Sequence, residues 1–552
     1  MAQQPLPFGP VNEIGPIEAV EPETTEGLLD IELEARKPLQ DLSSDSSRSS
    51  EASKDEPKRR ANFFIRLYFL LRSYLSTSFF PPGAPIETQL WKKQNLAIPV
   101  CYLMVGLVEG LSASVLNTYP LEIGATEAQQ VTVKVLRTLP ASFKIVFGFI
   151  SDAFPLFGYR RKVYMGVGWI IAGLSCLVLG IQGTPGIGSL SLFMFLNSLG
   201  FWMGDVMGDS LVAERAKFET PDRRGHLQST CYACRFFMLF VTVCLSTLLY
   251  EIVTPRVIFF VLAIFPTLVL TPCIYLLEEE RNIAVPTIPE QCKTIWSTVS
   301  SRSVWQPMAF VYLYNLFQIG NAAWNQYLYT VLNFSTLQIN SFMITAFALT
   351  FLGILTYKRF CRSLSWRKIY YATMSMNTLF STLQFLLIFG VNRKWGISDY
   401  AFAMGDDVMK EFISGIQFLP TAVMMVHLCP PGSEGLSYAM FTTVSNSAGV
   451  LAGTISTLLL GIWNVGIDAF KMDPPYLGGF WRLSLLTTCI QTCAILLVPL
   501  LPHRPEDLRN MNFERKSFMG GAIFVGVMIF SLFWAILSSV LNVVKPDWAG
   551  AG

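Results

Sequence analysis

The chain has 552 residues, of which 52% are hydrophobic, 13% aromatic and only 14% charged, where a soluble domain carries about 25% charge. Mean hydropathy is +0.44, and 41 Lys/Arg against 39 Asp/Glu leave a net charge of +2. So few charges cannot cover the surface of a water-soluble fold this long, and near-neutrality gives no signal for nucleic acid. A polytopic membrane protein is expected, without a P-loop ATPase signature of its own.

Charge is concentrated at the start. Residues 1–60 hold 13 Asp/Glu and 7 Lys/Arg, leaving a net of +8 for the remainder. Residues 1–61 are too polar and Ser-rich to build a core and are expected to form a disordered cytoplasmic tail. No early apolar stretch marks a signal peptide and the acidity argues against a transit peptide, so the plasma membrane is the default expectation, with an organelle left open. Residues 62–80 carry Arg66 and Arg72 among aromatics and predict an amphipathic helix lying in the interface.

Segments of about 20 apolar residues then predict spans at 96–118, 131–151, 163–181, 188–211, 228–250 and 256–277. A central cytoplasmic loop, 278–303, separates these from spans at 304–330, 338–357, 369–391, 402–427, 436–463 and 479–501. The first six form one bundle (91–277) and the second six another (304–501). A charged linker, 502–516, leads to a further apolar stretch at 517–543. Lys and Arg gather in loops that are internal if the N-terminus is cytoplasmic, which sets that orientation. The halves repeat: Gly148 and Gly353, Asp205 and Asp406, and Gly225 and Gly435 each recur about 200 residues apart. The predicted fold is all-α and major facilitator-like, with twelve core helices in two bundles plus an extra C-terminal helix, an architecture used for transport across a bilayer.

A charge at the bilayer centre costs at least about 2.5–3.5 kcal/mol, so it must face a cavity or a partner. Glu109 falls in the first span. Arg137 and Lys144 lie seven apart in the second, Asp205 and Asp209 at i,i+4 in the fourth, and Arg235 in the fifth. As a set they suit an anionic or zwitterionic solute, and Asp205 or Asp209 suits a coupling proton. Pairing that merely holds helices together is the alternative for any one of them. In the seventh span Asn315, Gln318, Ala322 and Asn325 follow helical spacing and predict a neutral polar stripe. Tyr312 and Trp324 offer rings to a flat heterocycle, although packing is the commoner role for membrane aromatics. Asp406 and Lys410 form an i,i+4 pair in the tenth span.

The second and third spans are joined by Gly148-Phe-Ile-Ser-Asp152 and, after a tight turn, Arg160-Arg161. This resembles the cytoplasmic gate of the major facilitator superfamily, in which the aspartate and arginines latch two bundles. A longer pattern runs from Arg137-Thr-Leu-Pro140 through Lys144, Gly148, Asp152, Pro155 and Gly158 to Arg161. With Asp205, Asp209-x-x-Val212-Ala-Glu214, Pro431-Gly-x-Glu434-Gly435 and Ser445-Asn446, it is similar to the signature of the folate–biopterin transporter family, a branch of that superfamily. Ala141 and Ile145 stand where the family carries a tryptophan and a proline.

The resemblance covers about residues 91–501 and implies a secondary transporter of folate- or biopterin-like solutes working by alternating access, with proton coupling expected. Substrate contacts are expected, from the intramembrane charges and the polar stripe, at Glu109, Arg137, Lys144, Asp205, Asp209, Arg235, Asn315, Gln318 and Asn325, and the resemblance implies a gate at Gly148, Asp152, Arg160 and Arg161. Another charged cargo such as S-adenosylmethionine, or a nutrient sensor, stays open. An enzyme is not expected: the chain has three histidines (His226, His427, His503), and Cys231 and Cys234 read as small packing residues in a membrane segment. Neither a cofactor nor a metal is expected, and the partners expected are a small solute and the lipid bilayer.

Overall fold

A computed structural model describes residues 83–123, 136–220, 225–249, 253–281, 287–429, 434–463, 467–472, 475–503 and 516–544, with 133, 223, 465 and 507 between them. The expected tail, the interfacial helix at 62–80 and most of the linker at 502–516 lie outside these residues, as does Pro431.

In the first half, α1 (Ala97–Glu122) is followed by a 3-10 turn (Leu139–Phe143) that leads into α2 (Lys144–Ala153). Then come α3 (Lys162–Gln182), α4 (Ile187–Arg215), α5 (His226–Leu249) and α6 (Pro255–Leu276). A short helix, α7 (Ile288–Val299), fills the central loop and is capped by Thr287 and Glu290. The second half contains α8 (Arg302–Phe317), α9 (Trp324–Thr330), α10 (Thr336–Thr356), α11 (Trp366–Ile388), α12 (Val391–Lys394), α13 (Asp399–Leu428), α14 (Glu434–Leu458), α15 (Ile467–Phe470) and α16 (Gly478–Cys493). The last helix is α17 (Phe518–Val544). Among the described residues, nine helices are long and apolar enough to cross a membrane.

Two expected spans are not continuous helices. Pro140 sits in the 3-10 turn before Lys144, so Arg137 and Lys144 do not share one α-helical face. The segment 304–330 breaks at Gln318, whose φ and ψ are −75° and 46°. The polar stripe through Asn315, Gln318 and Asn325 is therefore corrected: it starts on α8, leaves the helix, and resumes on α9. The freed backbone finds distant partners, as a break inside a bilayer requires. Gln491 donates to the Ile319 carbonyl at 3.0 Å, and Ser456 donates to that of Gly320 at 2.7 Å. Asn321 reaches Ser484 at 2.8 Å.

Helices pack closely where side chains are smallest. A Cβ on Gly106 of α1 would collide with the Arg235 carbonyl of α5, so these two helices meet backbone to backbone and bring Glu109 beside Arg235. Two seams join the halves, α2 against α14 and α5 against α10. The last helix packs on α14, on α8 and on the Leu139–Phe143 turn, lying over the first seam. Its Ser531 hydroxyl pairs with that of Tyr312 at 3.2 Å, and Trp534 donates to Thr454 at 3.3 Å.

Candidate functional site

Four helices of the first half bring their ionised side chains into one cluster. Lys144, at the start of α2, lies 2.6 Å from Asp205 Oδ2 and 3.8 Å from Asp209 Oδ2, both on α4. Arg235 on α5 reaches Asp205 Oδ1 at 3.3 Å. It also grips Glu109 of α1 with two bonds, Nη2–Oε1 at 2.9 Å and Nε–Oε2 at 3.1 Å, the fork geometry that guanidinium groups favour. Tyr102, seven residues before Glu109, donates its hydroxyl to Asp209 at 2.5 Å. Asp205 and Asp209 are almost wholly buried, so these partners replace the water that the carboxylates lack.

The indole of Trp202 faces both cations, with Lys144 Nζ 4.4 Å and Arg235 Cζ 5.6 Å from its ring centre. Trp202, Asp205 and Asp209 recur at i, i+3 and i+7, hence on one face of α4. Tyr102 and Trp202 are the members that sequence reasoning missed, and this spacing was the available signal for the tryptophan. Of the expected residues, Glu109, Lys144, Asp205, Asp209 and Arg235 are brought together. Arg137 stands apart, donating to Ser112 of α1 at 2.5 Å. Asn315 instead bonds the Val311 carbonyl at 2.8 Å and Ser445 of α14 at 3.2 Å. Gln318 ends α8, and the Asn325 side chain lies outside the described part.

The two rings expected to meet a heterocycle have other partners. Tyr312 faces α17 through Ser531, and Trp324 stacks on Phe480 with ring centres 6.1 Å apart. The expected pair Asp406–Lys410 does form, at 2.9 Å along α13.

At one end of the bundles stand the residues expected to form a gate. Arg161, fully buried, contacts Asp152 at 2.5 Å, Glu214 at 3.0 Å and Ser151 at 2.7 Å. The other oxygen of Asp152 accepts the backbone N–H of Leu436 at 2.8 Å. That amide belongs to the first turn of α14, where unpaired N–H groups and the helix dipole favour an anion, so Asp152 ties the two halves together. A Cβ on Gly148 would stand 2.8 Å from both the Gly435 carbonyl and Ala439 Cβ; glycine is what lets α2 touch α14. Glu434 adds an ion pair with Lys217. Across the second seam Lys358 donates to Thr230 at 2.8 Å.

Arg160 lies beside the same network. Its side chain lines a neighbouring cleft, while its backbone N–H and those of Arg161 and Lys162 converge on Glu279 at 2.7–2.8 Å. Glu279 thereby caps α3, a role that nothing in the local sequence marks. Outside the spans, the half-buried Glu219 accepts the backbone N–H groups of Gly225 and Leu227 at the start of α5. Burial outweighs those bonds and pushes its carboxyl up to about 7.

A hydroxyl and ring ladder links cluster to gate. Tyr102 packs edge-on against Tyr232 with centres 5.4 Å apart, and the Tyr232 hydroxyl lies 3.2 Å from that of Tyr438 on α14. Gln228 donates to the same Tyr438 oxygen at 2.9 Å.

Residues 106–519 match the model of the BT1 family. A folate-biopterin transporter of Synechocystis sp. is 29% identical over 414 residues, covering 74% of this chain and 81% of its own. Folate transporter 1 of Plasmodium falciparum is 26% identical over 384 residues, covering 69% and 74%. Among solved structures, a bacterial homologue of the iron transporter ferroportin in an outward-facing state superposes with a TM-score of 0.52 at 12% identity, over 74% of this chain and 98% of that one. The proton:xylose symporter XylE, of the major facilitator superfamily, gives 0.52 at 12% identity over 76% and 98%. The fold is that of this superfamily.

Proposed function

Since the chain belongs to the BT1 family and is a multi-pass membrane transporter rather than an enzyme, we propose that it carries folate- or biopterin-like pterins by alternating access, driven by protons. The observation that carries this reading is the cluster around Lys144 and Arg235: two cations, three carboxylates and the flat face of Trp202 in one buried site. The relatives named as folate and folate-biopterin transporters support the same cargo class. The carboxylates suit the amino and ring N–H groups of a pterin, the cations a glutamate tail, and Trp202 the ring itself. Asn315 and Gln318, with Asn325, serve as neutral contacts from the second half, and Arg137 stands as a reserve cation beside Ser112.

With all groups ionised, Glu109, Asp205 and Asp209 outnumber Lys144 and Arg235 by one charge, which disfavours an anionic cargo. Asp205 holds two cations at 2.6 and 3.3 Å, whereas Asp209 has Lys144 only at 3.8 Å and a phenol. Asp209 is accordingly the proton carrier, ahead of Asp205. Its protonation makes the cluster neutral and removes one of the two carboxylates that compete for Lys144, so proton and anionic cargo favour each other's binding reciprocally. With the N-terminus cytoplasmic, the Asp152–Arg161 latch closes the inner side, and the halves rock about the cluster when it opens.

The test is uptake of radiolabelled folate and biopterin into proteoliposomes, with and without an inward proton gradient. Saturable, gradient-dependent uptake abolished by Lys144→Ala supports the reading. Transport of S-adenosylmethionine in place of both pterins would leave the machine and overturn the cargo. No uptake of any of them by folded protein would overturn the reading.

A further inference from the structure

A second cleft, of about 600 Å³, opens between α7, the start of α8, the end of α13 and Lys516, just before α17. We propose that it binds a phosphate-class anion, either a lipid headgroup or a free phosphate ester. Its lining is cationic and hydroxylic. Lys293 and Lys516 offer ammonium groups, His427 an imidazole and Ser297 a hydroxyl, while the hydroxyls of Thr298 and Ser301 bond the Thr294 carbonyl and Ser303, each at 2.8 Å. Ammonium and hydroxyl donors together match the several acceptor oxygens of a phosphate.

No carboxylate lines this cleft among the described residues. The adjoining cleft around Arg160 differs: its basic groups share a space of about 750 Å³ with six glutamates, Glu279 and Glu434 among them. Among the described lining residues, one pocket pairs its cations with carboxylates and the other does not. Its volume exceeds what a single inorganic phosphate needs and suits a phosphorylated headgroup.

The walls are held in register by the chain itself. The backbone of Lys516 pairs with that of Ser301, the Ser517 N–H donates to the Ser300 carbonyl at 2.8 Å, and Lys516 Nζ donates to Ser297 Oγ at 2.9 Å. The linker to α17 is thus docked on the end of α7, where a bound anion would bridge Lys293 and Lys516. The cleft lies at the gate end, since Cys429 in its wall precedes the latch residues Glu434 and Leu436 by a few positions. An anion here bears on how firmly α17 and the central loop hold the second half.

The test uses the full chain in nanodiscs of neutral phosphatidylcholine, measuring saturation binding of labelled inositol trisphosphate and of inorganic phosphate. Matched nanodiscs containing phosphatidylinositol 4,5-bisphosphate report the headgroup through the unfolding midpoint. We expect saturable binding that falls at least tenfold both in the double variant Lys293→Gln/Lys516→Gln and in Thr298→Glu, which puts a carboxylate into the cleft. Both variants should keep the wild-type unfolding midpoint without ligand, and Lys394→Gln, an exposed lysine on α12, should bind as wild type. Binding of the soluble phosphates identifies a free anion; a response to the lipid alone identifies a headgroup. Equal affinity in wild type and both cleft variants, or no saturable response to any probe, overturns the proposal.

Discussion

The first half of the molecule joins five ionised side chains from four helices into one buried cluster. The second half treats charge differently. Its pair Asp406–Lys410 lies along a single helix, and several of its inner contacts are neutral: Asn315 meets Ser445, and Gln417 accepts from Tyr314 at 2.6 Å while donating to Thr373 at 2.9 Å. The glycines that recur between the halves diverge as well. Gly148 meets α14 across the seam, whereas Gly353 meets Phe412 and Gly415 of α13 within its own half. The backbone repeats and the chemistry does not. On the reading proposed above, a cluster whose ions come from four helices is the part that a ligand or a proton remakes, and the neutral hydrogen bonds of the other half form the wall that faces it.

The largest expected effect comes from Lys144→Ala. Removing one partner of a buried ion pair costs about 3–5 kcal/mol and leaves Asp205 and Asp209 facing one another. Folate uptake per molecule of protein should fall at least about a hundredfold, whereas Lys410→Ala, which breaks the pair of the other half, should cost less than about tenfold. Equal losses would break the contrast.

Next is the gate. Asp152→Asn keeps an oxygen for the Leu436 N–H but removes the charge facing Arg161. Net uptake should fall about tenfold while equilibrium binding of folate stays within about threefold, because the cluster is untouched. Loss of binding in step with uptake would show that latch and cluster are not separate devices.

Glu219→Gln tests pH. The carboxyl of Glu219 is raised to about 7 in the folded chain against an ordinary value near 4.5, so the folded state favours its protonated form. Its contribution to stability is fully present below about 4.5 and is lost as pH rises through about 7. The wild-type unfolding midpoint should therefore decline between pH 5 and 8, and the amide variant should decline less. Identical slopes would contradict this.

The smallest effect is expected at Ile145, whose backbone N–H donates to Thr443 of α14 at 3.2 Å. Thr443→Val removes this bond across the seam and leaves the backbone of α2 as it is. Uptake should change by less than about threefold, checked by its initial rate.

Much of this was legible in the sequence because membrane helices announce themselves by length and apolarity. The paired halves show as landmarks that recur about 200 residues apart, and the link from Asp152 to Arg161 as a motif within one short turn. The break after Phe317 had no such signal: Gly320 alone does not stop a helix, and the side chains that stabilise the opened turn come from Ser456 and Gln491, 136 and 172 residues away. Tyr102 was hidden for another reason, since 13% of the chain is aromatic and only its distance to Asp209 distinguishes it, whereas Trp202 shares a helical face with Asp205 and Asp209. Glu279 caps α3 from more than a hundred residues downstream, beyond the reach of any local pattern.

The central claim is that the cations of the first half hold the cargo while the second half supplies a neutral wall. Equilibrium binding of labelled folate to purified protein tests it most directly, comparing wild type with Arg235→Gln and Asn315→Ala. The account predicts saturable wild-type binding, a loss of at least about tenfold for Arg235→Gln and less than about threefold for Asn315→Ala. Equal losses in the two variants, or unchanged affinity in Arg235→Gln with the fold intact, would contradict it.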